Sequence, residues 1–205
     1  MSTPLIEPDG VYSLTGFRVR EKPISAEEYL RQERASTSGR REWIDGRTRD
    51  VAGASPVHMW IVENLVYAIS KVIDRKAYRV GFHDFRVQVP EGAFYYPDIV
   101  VYRTNSVMRD DDSRDTLLNP LVVFEVLSPS TLTVDRVEKL EGYRRIPSVT
   151  DYLLVSQTVT HIEHYRREPG ASDFDLKVLP HPEEVVELDS IGVSFRVDAA
   201  YENMD

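Results

Sequence analysis

The heptapeptide Leu121-Val122-Val123-Phe124-Glu125-Val126-Leu127 constrains this chain more than any other stretch. It is apolar except at Glu125, far too short to cross a membrane, and bounded by Pro120 and Ser128-Pro129. Such a run describes a strand buried on both faces, with helices covering the sheet. A carboxylate inside it is costly unless it is paired, hydrogen-bonded or bound to a cation. Glu125 is therefore either a structural ion pair at a strand end or part of a functional site, where buried charges gather.

The flanking sequence predicts the rest of a mixed α/β domain. Ser25 with Glu28 forms a capping-box pattern that opens a helix through Arg34. Asp45-Gly46 between Arg41–Ile44 and Arg47–Val51 predicts a β-hairpin. Ile61, Leu65, Ala68, Ile69 and Val72 recur at helical spacing and predict a helix from Val57 to Asp74. Strands are expected at Tyr78–Gly81, Phe85–Val89 and Asp98–Tyr102, and a polar loop at Thr104–Asn119. A helix is expected at Val134–Arg145, ending before Pro147. Strands follow at Tyr152–Ser156, Thr160–Arg166, Phe174–Leu179 and Val185–Leu188. Residues 1–23 read as an irregular extension, 24–198 as the single domain and 199–205 as a tail.

Composition narrows the chemistry. The 205 residues contain no cysteine, which excludes a disulfide scaffold, a zinc finger and a cysteine nucleophile. There are 25 basic and 34 acidic residues, a net charge of −9, so binding to nucleic acid by bulk charge is not expected. There is no phosphate-binding glycine loop, no G-x-S-x-G and no H-E-x-x-H. No run of about 18 apolar residues reads as a membrane span, and Met1–Gly16 does not read as a signal peptide, so the expected location is cytoplasmic.

Asp98 follows Pro97 at the start of a strand, where it reads either as a turn residue or as a second carboxylate beside Glu125. Two such carboxylates can pair with arginines, share a proton or hold a hard divalent cation such as Mg²⁺. Lys139 lies on the helix after the Glu125 strand, with Asp135 and Tyr143 as its i−4 and i+4 neighbours. A solvated helix lysine is the ordinary reading. Against it stands scarcity, since the chain has five lysines and twenty arginines. Glu42 reads either as an arginine partner in the hairpin or as a further ligand of a cation or water. His58 reads as a helix cap, a packed ring or an accessory residue. His161 and His164, three apart on a strand, point to opposite faces and do not form a metal pair.

Together these residues carry a resemblance. Pro97-Asp98, the run from Glu125 to Thr131, Lys139, Tyr143 and the stretch Pro147 to Leu154 resemble the Uma-two family of restriction-endonuclease-like proteins, within the PD-(D/E)XK superfamily. Glu42-Trp43-Ile44-Asp45-Gly46 resembles that family's hairpin, and Ser55-Pro56 with His58 its helix start. The resemblance implies a restriction-endonuclease-like fold: a mixed central β-sheet flanked by helices, with an N-terminal helix and hairpin. It implies an Mg²⁺- or Mn²⁺-dependent endonuclease acting on DNA, with Asp98 and Glu125 as metal ligands. Lys139 and Glu42 would act beside them, with His58 and Tyr143 as accessory residues. The superfamily pattern sets its lysine two residues after the second carboxylate, where this chain has Leu127; Lys139 stands in the following helix instead. Arg41 and Arg47 near the hairpin and Arg136 and Arg144 on the helix are the candidate nucleic-acid contacts. A homodimer is expected by analogy with restriction-type folds. The rival reading is a non-catalytic interaction protein on the same fold, and a weaker one is a sugar hydrolase using the two carboxylates as acid and base.

Overall fold

The computed structural model describes residues 22–90, 92–109, 111–128 and 131–204, together with the short strands at 6–7 and 10–11. Most of the expected N-terminal extension and the Pro129-Ser130 turn lie outside the described residues. The elements run β1 (Ile6–Glu7), β2 (Gly10–Val11), α1 (Ala26–Ala35), β3 (Arg41–Ile44), β4 (Arg47–Asp50) and α2 (Pro56–Ser70). Then come β5 (Tyr78–Phe82), β6 (Arg86–Val89), β7 (Ala93–Tyr95), β8 (Ile99–Arg103), β9 (Thr116–Leu117) and β10 (Val122–Leu127). A π-helical segment, Val134–Lys139, runs into α3 (Leu140–Arg144). The chain continues through β11 (Asp151–Ser156), β12 (Ile162–Arg166), β13 (Asp175–Leu179), β14 (Val185–Leu188) and β15 (Val193–Arg196).

A six-stranded sheet in the order β13-β12-β11-β10-β8-β5 forms the centre. It is mixed: β10 and β11 are parallel, and the other neighbours are antiparallel. A second, five-stranded sheet has the order β4-β3-β7-β6-β9. Strand β10 is buried along its whole length, and its residues alternate between two cores, as the two-residue period of a strand requires. Val122, Phe124 and Val126 pack toward Ile61, Leu65 and Ile69 of α2 and toward Phe195 and Val197. Val123 and Leu127 pack in the other core, with Tyr143, Ile146 and Tyr152. Glu125 has the parity of this second set, which aims it beneath the helix that carries Lys139 and Tyr143.

Local chemistry sets the element ends. The Ser25 hydroxyl accepts from the Glu28 N–H at 3.2 Å and starts α1. In the hairpin turn Asp45 and Gly46 both take positive φ, 47° and 87°, as a two-residue turn between twisted strands requires. Helix α2 begins at Pro56 rather than Val57, because Ser55 caps it and proline suits the first turn. It ends at Ser70, four residues short of the expectation; the positions beyond include Val72, which is 54% exposed. Strands β7 and β9 were not expected, being only three and two residues long. Strand β15 was not expected either; Val197 and Ala200 after it are fully buried in the α2 core.

Asp115 ties three of these elements together. It meets Arg34 of α1 at 2.7 Å and the buried Arg86 of β6 at 2.8 Å, beside β9. Burial would raise its pKa, but the Arg34 hydrogen bonds and the Arg86 charge outweigh burial and hold the carboxyl well below the usual range. Because the folded pKa is depressed, the stabilisation is present above the unfolded value near ~4 and is lost as pH falls through the folded one. Asp115→Asn is expected to cost about 1–2 kcal/mol at neutral pH, less than a fully buried pair because Asp115 is partly solvated. Thermal unfolding should show a Tm lower by about 2–8 °C at pH 7, with the difference shrinking below pH 4.

Candidate active site

Pairing of β8 with β10 sets Ile99 opposite Phe124, and one further step of that register sets Asp98 opposite Glu125. Asp98 Oδ2 accepts from the Val126 N–H at 2.7 Å, and Oδ1 lies 3.0 Å from His58 Nε2. His58 is brought there by the start of α2, where its own N–H donates to the Ser55 cap at 3.1 Å. The cap of α2 is therefore Ser55 and not His58, whose ring instead meets Asp98.

Glu125 is 3% exposed and Lys139 6%. The Lys139 ammonium donates to Glu125 Oε1 at 2.9 Å, and the Tyr143 hydroxyl donates to the same oxygen at 3.2 Å. The ammonium also lies 3.1 Å from Glu42 Oε1 and 3.4 Å from Asp135 Oδ1. The wide π-helical turn keeps Asp135 and Lys139 on one inward face, and α3 continues it with Tyr143. Gly142 permits the approach, since a Cβ there would meet the Tyr95 ring at 2.6 Å.

Glu42 is an arginine partner in the hairpin. It lies opposite Arg49 in the hairpin register and bonds that guanidinium at 2.6 Å, while also facing Lys139. The arginines beside it in sequence, Arg41 and Arg47, are not its partners: Arg41 bonds Glu33, and Arg47 is exposed. Arg49 extends the chain of charges to Glu138 at 2.8 Å.

The pKa values of the two buried glutamates shift in opposite directions. Burial raises the pKa of Glu125, and the neighbouring carboxylates of Asp135, Asp98 and Glu42 add to that rise; Lys139 opposes it, but the pKa stands well above the usual range. Burial acts on Glu42 as well, but Lys139, Arg49 and the Tyr96 N–H together overcome it and lower the pKa. Lys139 is itself pushed up by three carboxylates against the effect of burial, so it stays charged. Burial, followed by repulsion from other carboxylates, raises Asp135 too.

Asp98, Glu125, Asp135, Lys139 and His58 line one cavity of about 650 Å³, which also takes in Arg40, His83, Ser128 and Gln157. Among the described residues no group of three or more His, Asp or Glu forms a ready metal cage. The donors nonetheless fit a hard cation that keeps several waters: carboxylate oxygens outnumber the ammonium, and the buried Asp135 Oδ1 has only the longer 3.4 Å ion pair to Lys139 and no hydrogen bond. Asp135 and Arg49 were not assigned to the site from sequence. The signal for Asp135 was its place four residues before Lys139; for Arg49 it was the hairpin register opposite Glu42.

The candidate nucleic-acid contacts are mostly matched by acids. Arg41 pairs with Glu33, Arg136 with Glu163, and Arg144 with Glu141 and Asp173. His164 is buried on Asp151 at 2.7 Å, while His161 lies near Glu163, so the two histidines share no site.

Comparison with known proteins agrees with this architecture. A family model described as "Uma2: Putative restriction endonuclease" matches residues 26–200. The uncharacterized protein sll1609 of Synechocystis sp. is 33% identical over 144 residues, covering 70% of this chain and 80% of that protein. A second uncharacterized Synechocystis protein, slr1290, is 33% identical over 183 residues, covering 88% and 93%. A crystal structure of a "putative nuclease belonging to DUF820" from Anabaena variabilis matches with a TM-score of 0.72 at 17% identity, over 87% of this chain and 98% of that one. At that identity the likeness is one of fold.

Removing one charge from the buried cluster should have opposite effects at its two ends. Lys139→Met leaves Glu125, Glu42 and Asp135 facing one another and is expected to cost about 3–5 kcal/mol. Glu125→Gln keeps the shape and removes a carboxylate whose raised pKa makes its charged form a burden on the fold. That burden is absent below the unfolded value near ~4 and grows as pH rises toward the folded pKa. Thermal unfolding from pH 4 to 8 should show Glu125→Gln matching or exceeding the wild type, increasingly so toward neutral pH. A Glu125→Gln protein that melts well below the wild type at pH 7 would contradict this account.

Proposed function

Because the chain belongs to the Uma2 family of restriction-endonuclease-like proteins, we propose that it is a metal-dependent nuclease that hydrolyses phosphodiester bonds in DNA. The observation that carries the reading is the meeting of Asp98, Glu125 and Lys139 in one cavity, with the ammonium on the second carboxylate at 2.9 Å. Asp98 and Glu125 are the residues to hold Mg²⁺ or Mn²⁺. Such a cation, when bound, supplies Lewis-acid polarisation of the phosphoryl group and a more acidic water.

The chain's own groups do the remaining work. Lys139 supplies a fixed positive charge beside Glu125, suited to an oxyanion that gains charge in the transition state. Tyr143 and Lys139 hold Glu125 in one rotamer by bonding the same oxygen. Glu42 and Asp135 hold the ammonium from the other sides and keep it charged. His58 and the Val126 N–H fix Asp98 at both oxygens. Glu42 and His58 are on this view positioning residues.

The rival reading, a non-catalytic interaction protein, draws support from the acid partners of Arg41, Arg136 and Arg144, three of the four candidate nucleic-acid contacts. Metal titration separates the two. Calorimetry should show Mn²⁺ binding to the wild type and none to an Asp98→Asn/Glu125→Gln double variant. Mn²⁺-dependent cleavage of DNA should fall at least ~100-fold in Asp98→Ala, the scale of losing a transition-state contact. An Asp98→Ala protein that cleaves like the wild type would sink the nuclease reading.

A further inference from the structure

The cavity that holds the acidic pair has a rim that the proposed chemistry does not use. His83 follows β5, the edge strand of the central sheet, and takes a positive φ of 60°, unusual for a residue with a side chain. It is fixed from two sides: its N–H donates to the Asp98 carbonyl at 3.2 Å, and its own carbonyl accepts from Arg40. The rim is thereby built onto the backbone of a proposed metal ligand. Phe82, 50% exposed, meets the His83 ring edge-on with centroids 5.5 Å apart. Arg40 lines the cavity, lies over the Tyr96 ring and pairs at 3.0 Å with Asp84, whose side chain is 85% exposed. An ion pair to so solvated a carboxylate is weak and readily exchanged for a phosphate.

We infer that the site takes single-stranded rather than duplex DNA, with a base stacked on the Phe82–His83 rim and Arg40 on an adjoining phosphate. The inference rests on the nuclease reading for the class of ligand and adds its strandedness. Three observations carry it. Glu125 and Lys139 lie at the floor of the cavity, nearly inaccessible, where a flexible strand can thread a phosphate and a rigid duplex cannot. Duplex binding depends on many phosphate contacts from a basic surface, and here Arg41, Arg49, Arg136 and Arg144 are matched by acids. Aromatic rings beside a cation are a means by which unpaired bases are held, because every base has a face to stack and needs no paired partner.

The test is fluorescence anisotropy with a labelled 16-nucleotide DNA strand of mixed sequence, alone and annealed to its complement, in Ca²⁺ to support binding without turnover. The single strand should bind at least tenfold more tightly than the duplex. Its affinity should fall with salt at a log–log slope of only about −1, the scale of one or two phosphate contacts. Phe82→Ala and His83→Asn should each weaken single-strand binding about tenfold with an unchanged Tm, asparagine being chosen because it accepts the positive φ. Equal or tighter duplex binding, no binding of either form, or variants that bind the strand like the wild type would each overturn the inference. Parallel cleavage with Mn²⁺ keeps the two readings apart. Asp98-dependent cutting of a preferred duplex would overturn the strandedness and leave the nuclease; a strand that is bound but never cut would do the reverse.

Discussion

One ammonium group joins the parts of this protein. Lys139 reaches Glu125 from the central sheet, Glu42 from the second sheet and Asp135 from its own helix. Desolvating such charges costs several kcal/mol per ion, and a well-packed apolar cluster of the same volume would hold the elements together as well or better. Packing therefore does not explain the arrangement. What the charges add over apolar residues is a fixed position for the carboxylates and opposed pKa shifts in Glu42 and Glu125. Lys139 and Arg49 lower the pKa of Glu42, while burial and neighbouring carboxylates raise that of Glu125 against the pull of Lys139. Opposite shifts in adjacent acids are a recurrent mark of sites that do chemistry.

The sequence made the central sheet and the acidic pair legible because each rests on a local rule. The apolar run at Leu121–Leu127 announces a doubly buried strand, and its interruption at Glu125 announces a site. The Asp45-Gly46 turn and the Ser25 and Ser55 caps mark their elements by backbone chemistry alone. The short strands β7 and β9 were hidden because two or three residues carry no periodicity; their pairing partners, not their own composition, make them strands. Within the site, Lys139 was found by scarcity and sequence position. The Arg49–Glu42 bond follows from the register across the hairpin, and the His58–Asp98 bond joins residues forty apart in sequence. Such contacts are products of topology, and only the assembled sheets reveal them.

Arginine placement illustrates the same limit in reverse. Counted along the chain, the arginines around the hairpin and after Glu125 look like two basic clusters suited to phosphate. In the fold Arg34, Arg41, Arg49, Arg136 and Arg144 each meet at least one carboxylate, so the clusters are nearly neutral surfaces. Charge read from sequence overstates the field a folded surface presents, because acids distant in the chain are brought to the bases. The net charge of −9 and the local pairing then agree, and neither favours a binding mode based on many phosphate contacts.

This charge balance bears on how the cavity must work if its ligand is a phosphodiester. Its walls carry the carboxyl groups of Asp84, Asp98, Glu125 and Asp135 against the cations Arg40 and Lys139, so an anion alone finds little net positive charge there. A cation and a phosphate therefore each lower the cost of admitting the other, and by linkage the help is equal in both directions. Lys139 cannot substitute for the cation, since its charge is already shared among three carboxylates at 2.9, 3.1 and 3.4 Å. Glu125 is the group through which this coupling acts: burial and its acidic neighbours favour its protonated form, and a cation would compete with a proton for the same oxygens. The buried glutamate that first marks the sequence as unusual is thus also the point where protonation, cation binding and phosphate binding meet.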